Sequence, residues 1–185
     1  QRPHFSPALA AAKRSMDLVL GTLVLVVTLP IQAAVAVAIL IDSGGPVLHR
    51  QERIGKDGEP FTMYKFRSMV PAAEGRRDEL VHLNEQTGPL FKMQEDPRVT
   101  KLGRFIRRYS LDELPQLWNV LRGDMSLVGP RPERPVFIEQ FRREIPGYML
   151  RHKIKAGLTG WAQIHGWRGN TSLHERVEHD LYYIQ

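Results

Sequence analysis

The run from Leu18 to Ile41 carries no charged side chain over 24 residues, and Asp17 and Asp42 bracket it. As a straight helix it would be about 36 Å long, enough for a hydrocarbon core of roughly 30 Å. On length alone the plain reading is an ordinary transmembrane span. Two features oppose it. Pro30 divides the run into halves of 12 and 11 residues, each too short to cross. Its missing N–H frees the Val26 carbonyl and its ring clashes there, which predicts a bend, and Thr28 or Gln32 could satisfy the freed group. Lys13 and Arg14 precede the run, while Arg50, Arg53 and Lys56 follow it. Basic residues on both flanks suit a segment that enters and leaves on one side. Physics alone leaves the span and the re-entrant form level. A signal peptide is not indicated, because the run exceeds an h-region and no small-residue cleavage site follows.

At 185 residues the chain reads as one domain plus a membrane element. Lys and Arg number 26 against 20 acids, a net charge of +6, so phospholipid headgroups, nucleotides or nucleic acid are favoured partners. A nucleic-acid binder has no use for the apolar run, so nucleic acid is not expected. Cysteine is absent, which excludes disulfides, thiolate metal sites and cysteine nucleophiles. The seven histidines are scattered, His174 and His179 lie five apart, and no P-loop glycine pattern is present. A start at Gln1 and an end within a helical pattern read as a piece of something longer.

His49–Gly55 and Phe61–Met69 read as strands of a hairpin around Lys56-Asp57-Gly58, with Lys65 and Arg67 on one face. Ala72–Leu83 reads as a polar helix and Gln86–Arg98 as loop. Lys101–Tyr109 is expected to be an amphipathic helix with Leu102, Phe105 and Ile106 inward. The next helix starts at Ser110, where Ser110 and Glu113 fit a capping box, or at Pro115. Its stripe would be Leu114, Leu117, Trp118 and Leu121. Pro135–Ile145 reads as a helix burying Ile138, Phe141 and Ile145, and a last helix from Leu173 would bury Val177, Leu181 and Ile184.

Asp112 and Glu113 are the chemically pointed pair. A glycosidase pair flanks its bond from opposite sides, which adjacent residues do not do. A purely capping pair explains a helix start and nothing else. Phosphoryl transfer uses more of the chain: a carboxylate can attack phosphorus, provided cations offset the repulsion between anions. Glu113 could bind a hard metal ion. Arg131, stiffened by Pro130 and Pro132, could hold a phosphate bidentately.

These residues lie in a longer pattern. It includes Lys13-Arg14-Ser15-Met16-Asp17, Gln51-Glu52-Arg53-Ile54-Gly55, Tyr64-Lys65-Phe66-Arg67-Ser68-Met69, Asp96 to Arg108, the whole block Ser110–Pro132, Gly157–Gln163 and Asp180–Ile184. The pattern resembles the bacterial polyprenyl-phosphate sugar-1-phosphate transferases, the monotopic phosphoglycosyl transferases, over nearly the whole chain. The resemblance implies an α+β fold: a mainly helical catalytic domain with a short β-hairpin and amphipathic interfacial helices, preceded by a re-entrant membrane helix broken at Pro30. The corresponding domain limits are 1–17 juxtamembrane, 18–41 membrane helix and 42–185 transferase domain, C-terminally incomplete. It further implies transfer of a sugar-1-phosphate from a UDP-sugar to undecaprenyl phosphate, releasing UMP, at the cytoplasmic face of the bacterial inner membrane. Asp112 would be the covalent nucleophile, Glu113 the Mg²⁺ ligand, and Lys65, Arg107, Arg131 and Arg168 the nucleotide and phosphate contacts. Gly166-Trp167-Arg168-Gly169-Asn170 looks more like the large exopolysaccharide-initiating members, which often use glucose. The sugar and any homo-oligomer stay open. The competing reading is a non-catalytic, basic membrane-surface scaffold with the dyad as a helix cap.

Overall fold

The computed structural model describes residues 6–73, 75, 93, 95–169 and 171–184. The chain forms two compact units, one of Gln1–Val27, Arg50–Tyr64 and Gln116–Gln185, the other of Thr28–His49 and Lys65–Pro115.

Helix α1 runs from Pro7 to Ser43 and contributes to both units. It begins well before the apolar run because the sequence caps it there: Ser6 Oγ accepts from Leu9 N at 3.2 Å, and Pro7 takes the first helical position. Pro30 lies inside without ending the helix, and Gln32 Nε2 donates to Thr28 Oγ1 at 3.1 Å. The helix stops at Gly44, whose φ of +71° gives a left-handed end, with Gly44 N bonded to Leu40 O at 3.1 Å. Most of its apolar side chains, among them Val19, Leu23, Val26, Leu29 and Ile41, are exposed. Among the described residues α1 is the one helix long and apolar enough to cross a bilayer.

The predicted hairpin is present, and residues 50–64 of it belong to the first unit. β1 (Leu48–Ile54) pairs with β2 (Pro60–Phe66) around a 3-10 turn at Lys56–Gly58. Helix α3 (Gln116–Arg122) presents a face rotated from the expected stripe. Leu117, Asn119 and Val120 are buried, whereas Trp118 is 54% exposed. Asn119 explains the rotation. Its side chain accepts from Tyr64 N at 3.1 Å and donates to Thr62 O at 2.7 Å and Asp124 Oδ2 at 3.1 Å, so the amide is satisfied only when it points inward. Val120 joins Met63 and Met125 in the core. Strand β3 (Met125–Val128) pairs in parallel with β4 (Ala156–Thr159), Met125 opposite Ala156. Helix α4 (Pro135–Glu144) buries Phe141 as expected, but with Phe137 rather than Ile138 as its partner; the two rings stack 5.7 Å apart. A 3-10 segment, Tyr148–Lys153, precedes β4, and helix α5 (Trp161–Ile164) follows it. Helix α6 (Leu173–Ile184) buries Val177, Asp180 and Ile184.

The first turns of α1 are bonded into this unit. Arg14 donates to Val120 O at 2.6 Å and Leu121 O at 2.7 Å, satisfying carbonyls at the end of α3. Lys13 Nζ donates to Val128 O at 3.0 Å. Buried Asp17 accepts from Ser126 Oγ and Leu127 N, both at 3.0 Å.

The second unit packs Val35 and Ile39 of α1 with Phe66 and Ile106. Helix α2 (Lys101–Arg108) is capped by Thr100, whose side chain accepts from Gly103 N at 2.9 Å. Its inward face is Leu102, Gly103 and Ile106, not Phe105, which is 54% exposed and lies 5.0 Å from the Tyr109 ring. The reason is backbone contact: Gly103 sits against the Ser68 carbonyl, where a Cβ would overlap it. Strand β2 ends at Phe66 rather than Met69 because the chain there turns to new partners, with Thr100 N bonded to Ser68 O at 3.2 Å and Met69 bridged to Val99. The predicted helix at 72–83 and loop at 86–98 lie largely outside the described residues.

Candidate active site

Asp112 and Glu113 occupy a 3-10 turn, Leu111–Glu113, in the second unit. Ser110 enters it in the left-handed region, at φ 56°, and its side chain makes no capping bond. The predicted capping box therefore does not form, because a capping residue needs extended backbone to aim its oxygen at the turn. Of the two helix starts left open, the later is taken: α3 begins at Gln116, directly after Pro115. Glu113 spends its carboxylate on an ion pair instead, with Lys65 Nζ at 2.9 Å from Oε1. A left-handed non-glycine residue costs about 1–2 kcal/mol and is tolerated where packing and function over-determine it.

Asp112 and Glu113 are 8% and 7% exposed. Burial pushes the Asp112 carboxyl above the usual range; Lys65 opposes that shift, Glu113 adds to it and Arg107 opposes it again. Arg107 anchors its guanidinium through Nε to Ser68 Oγ at 2.7 Å. Lys65 and Arg107 thus face the two adjacent carboxylates and balance their charge. The two carboxylates are hard oxygen donors of the kind a magnesium ion takes.

Lys65, Arg107, Asp112 and Glu113 are thereby gathered in one unit, while Arg131 and Arg168 belong to the other. Arg168 is exposed beyond α5. Arg131 is half-buried and lines a small cleft with Gly55, Pro130, Pro132, Arg151 and His152. Each carbonyl of its loop accepts a bond. Pro130 O takes Gly157 N at 2.9 Å, Arg131 O takes Arg151 Nη2 at 2.8 Å, Pro132 O takes Arg53 Nη1 at 3.2 Å, and Glu133 O takes Ile54 N at 2.9 Å. His152, beside Arg151, is buried with Nδ1 3.2 Å from Gly55 O. Burial and the Arg151 charge lower its pKa to about 4, the Gly55 bond notwithstanding. Sequence reasoning gave Arg53 only as a cation flanking the apolar run and as part of the family pattern, and passed over Arg151 and His152. Their signal was only a basic stretch, which reads equally well as a solvated surface.

A family model described as "Bacterial sugar transferase" matches residues 8–185. The chain is 51% identical over 177 residues to an Escherichia coli UDP-glucose:undecaprenyl-phosphate glucose-1-phosphate transferase, covering 94% of this chain and 36% of that protein. It is 44% identical to an Aeromonas hydrophila UDP-N-acetylgalactosamine-undecaprenyl-phosphate N-acetylgalactosaminephosphotransferase, covering 97% and 40%. Against a galactosyl transferase of Streptococcus agalactiae the figures are 42% identity, 94% and 38%. The chain spans well under half the length of these relatives.

Proposed function

The chain belongs to the bacterial sugar transferase family, and from that premise we propose that it moves a sugar-1-phosphate from a UDP-sugar to undecaprenyl phosphate, releasing UMP. The observation that carries this reading is the buried Asp112–Glu113 pair with Lys65 on Glu113 and Arg107 on the same unit. The Asp112 carboxylate attacks the phosphorus that bears the sugar. The bond from that phosphorus to the bridging oxygen breaks, and UMP leaves with the electron pair. A phosphate oxygen of undecaprenyl phosphate then attacks the same phosphorus and frees the Asp112 carboxylate. Burial makes that carboxylate a stronger base and hence a better nucleophile when ionised, while Lys65 and Arg107 keep ionisation accessible. Lys65 also masks the Glu113 charge against incoming phosphates. Magnesium held by Glu113 would neutralise charge on those phosphates. Glucose is the favoured sugar because the E. coli relative carries that name at 51% identity, although the other relatives are named for different sugars.

The same reading places the protein at the cytoplasmic face of the inner membrane with α1 re-entrant. Two clamps support it. Lys13, Arg14 and Asp17 tie the start of α1 to residues 120–128, and Arg67 caps its end, donating to Ser43 O at 3.0 Å, Gly45 O at 2.7 Å and Gly44 O. Between residues 44 and 185 the sequence holds no second apolar run long enough to cross, which agrees with a re-entrant α1. On α2, exposed Lys101, Arg104, Phe105 and Arg108 suit a headgroup layer.

Mass spectrometry tests the chemistry. UDP-glucose alone should leave a hexose-phosphate on Asp112, and Asp112→Asn should lose both the adduct and turnover. Normal turnover by that variant would remove the nucleophile assignment, and absence of both adduct and turnover in the wild type would favour the non-catalytic scaffold.

A further inference from the structure

The Pro130–Glu133 loop cannot hold itself in place. Its prolines lack N–H groups, and each restrains the residue before it to extended backbone. Its four carbonyls accept from outside the loop, two from backbone amides and two from arginine side chains. Arg151 differs from the other donors. Its side chain is 5% exposed, and Nη2 is shared between Arg131 O at 2.8 Å and Asp180 Oδ2 of α6 at 2.7 Å. Nη1 faces Tyr148 Oη at 3.4 Å, and the guanidinium lies 5.3 Å from the Tyr148 ring. With both terminal nitrogens engaged inside the protein, Arg151 is poorly placed to grip a substrate itself. As stability alone, a buried ion pair is a weak choice, since apolar residues of similar volume often do as well or better. What an apolar pair could not provide is a donor for the Arg131 carbonyl.

We propose that Arg151, held by Asp180, is a positioning residue: it locks the Arg131 backbone so that the Arg131 guanidinium is pre-aimed at an anionic group of the UDP-sugar. This rests on the reading of Arg131 as a UDP-sugar contact. It also gives the last helix a part in the reaction, through Asp180.

The paired variant Arg151→Met/Asp180→Leu removes the relay without stranding a charge. It should fold, with a Tm close to that of the wild type, and raise KM for UDP-glucose about tenfold while kcat changes less than threefold. Arg131→Ala should raise the same KM, and adding it to the paired variant should cause no further loss, because both act through one guanidinium. If the apolar pair does not fold, Arg151→Lys keeps the ion pair but lacks the fork that reaches two acceptors, and the same KM and non-additivity are expected of it. Wild-type KM in the folded relay variants, or losses that multiply with those of Arg131→Ala, would overturn the positioning role. An unchanged KM in Arg131→Ala would instead overturn the reading of Arg131 beneath it.

Discussion

Asp112 pays for its reactivity with burial. Its affinity for a proton is raised in the folded protein, so the folded state loses stability relative to the unfolded one as pH rises from the unfolded pKa through the folded pKa, and the penalty is constant above it. Asp112→Asn removes that penalty. The variant should be inactive yet melt above the wild type at pH 7, with the difference shrinking on acidification, as a thermal series from pH 4 to 7 would show. His152 works in the opposite pH direction. Its pKa falls from 6.5 to about 4 on folding, so its neutral, buried form contributes stability that is present above pH 6.5 and lost as pH falls toward 4. That shift corresponds to about 3 kcal/mol at most. His152→Gln keeps a donor for Gly55 O and should flatten the stability–pH slope between 6.5 and 4 in urea titrations. An unchanged slope would place the acid sensitivity elsewhere.

At the scale of elements, the second unit hangs on the contact between α2 and the chain after β2. Gly103 brings helix backbone against the Ser68 carbonyl, and Ser68 Oγ in turn receives Arg107. Gly103→Ala would improve helix propensity in isolation, but its methyl has to displace backbone rather than a flexible side-chain tip. A loss of at least 1–3 kcal/mol is expected, read as a Tm fall of several degrees for a chain of this size. Activity should fall further than stability, because Lys65 and Arg107 flank the moved segment. A neutral Tm would show that α2 can slide without cost. The end of α1 is treated similarly by Arg67, whose several bonds to Ser43, Gly44 and Gly45 satisfy helix carbonyls that would otherwise lie unpaired.

For the whole molecule, the decisive question is how α1 meets the membrane. Both of its ends are bonded to segments joined by chain without a further crossing, so both should stay on one side. Single cysteines at Ala12 and Asp42, exposed positions in a chain that has no cysteine of its own, can be tested in intact cells. Both should be shielded from an impermeant external reagent and both should react after permeabilisation. Labelling of one site from outside would establish an ordinary span. Pro30→Ala, by restoring a backbone donor and removing the ring clash, should favour a straighter helix and lower activity.

The sequence by itself determined the features written in local chemistry. The uncharged run with Pro30, the hairpin around Lys56-Asp57-Gly58, the span of α2 and the face of α6 around Val177 and Ile184 follow from periodicity, turn residues and caps. The Asp112–Glu113 pair was conspicuous for the same reason, and its pattern carried the family. Only the tertiary structure decided what those residues bond to. Ser110 and Glu113 have capping-box spacing, yet the left-handed Ser110 and the distant Lys65 draw Glu113 away from that role. Asn119 and Gly103 turn α3 and α2 from the faces that hydrophobicity predicts, because a buried amide must find partners and a glycine admits backbone contact. The parallel pairing of β3 with β4 and the Arg151–Asp180 relay join residues about thirty apart in sequence. Neither leaves a local signature, since two four-residue strands and a buried guanidinium look like loop and surface until the chain has folded around them.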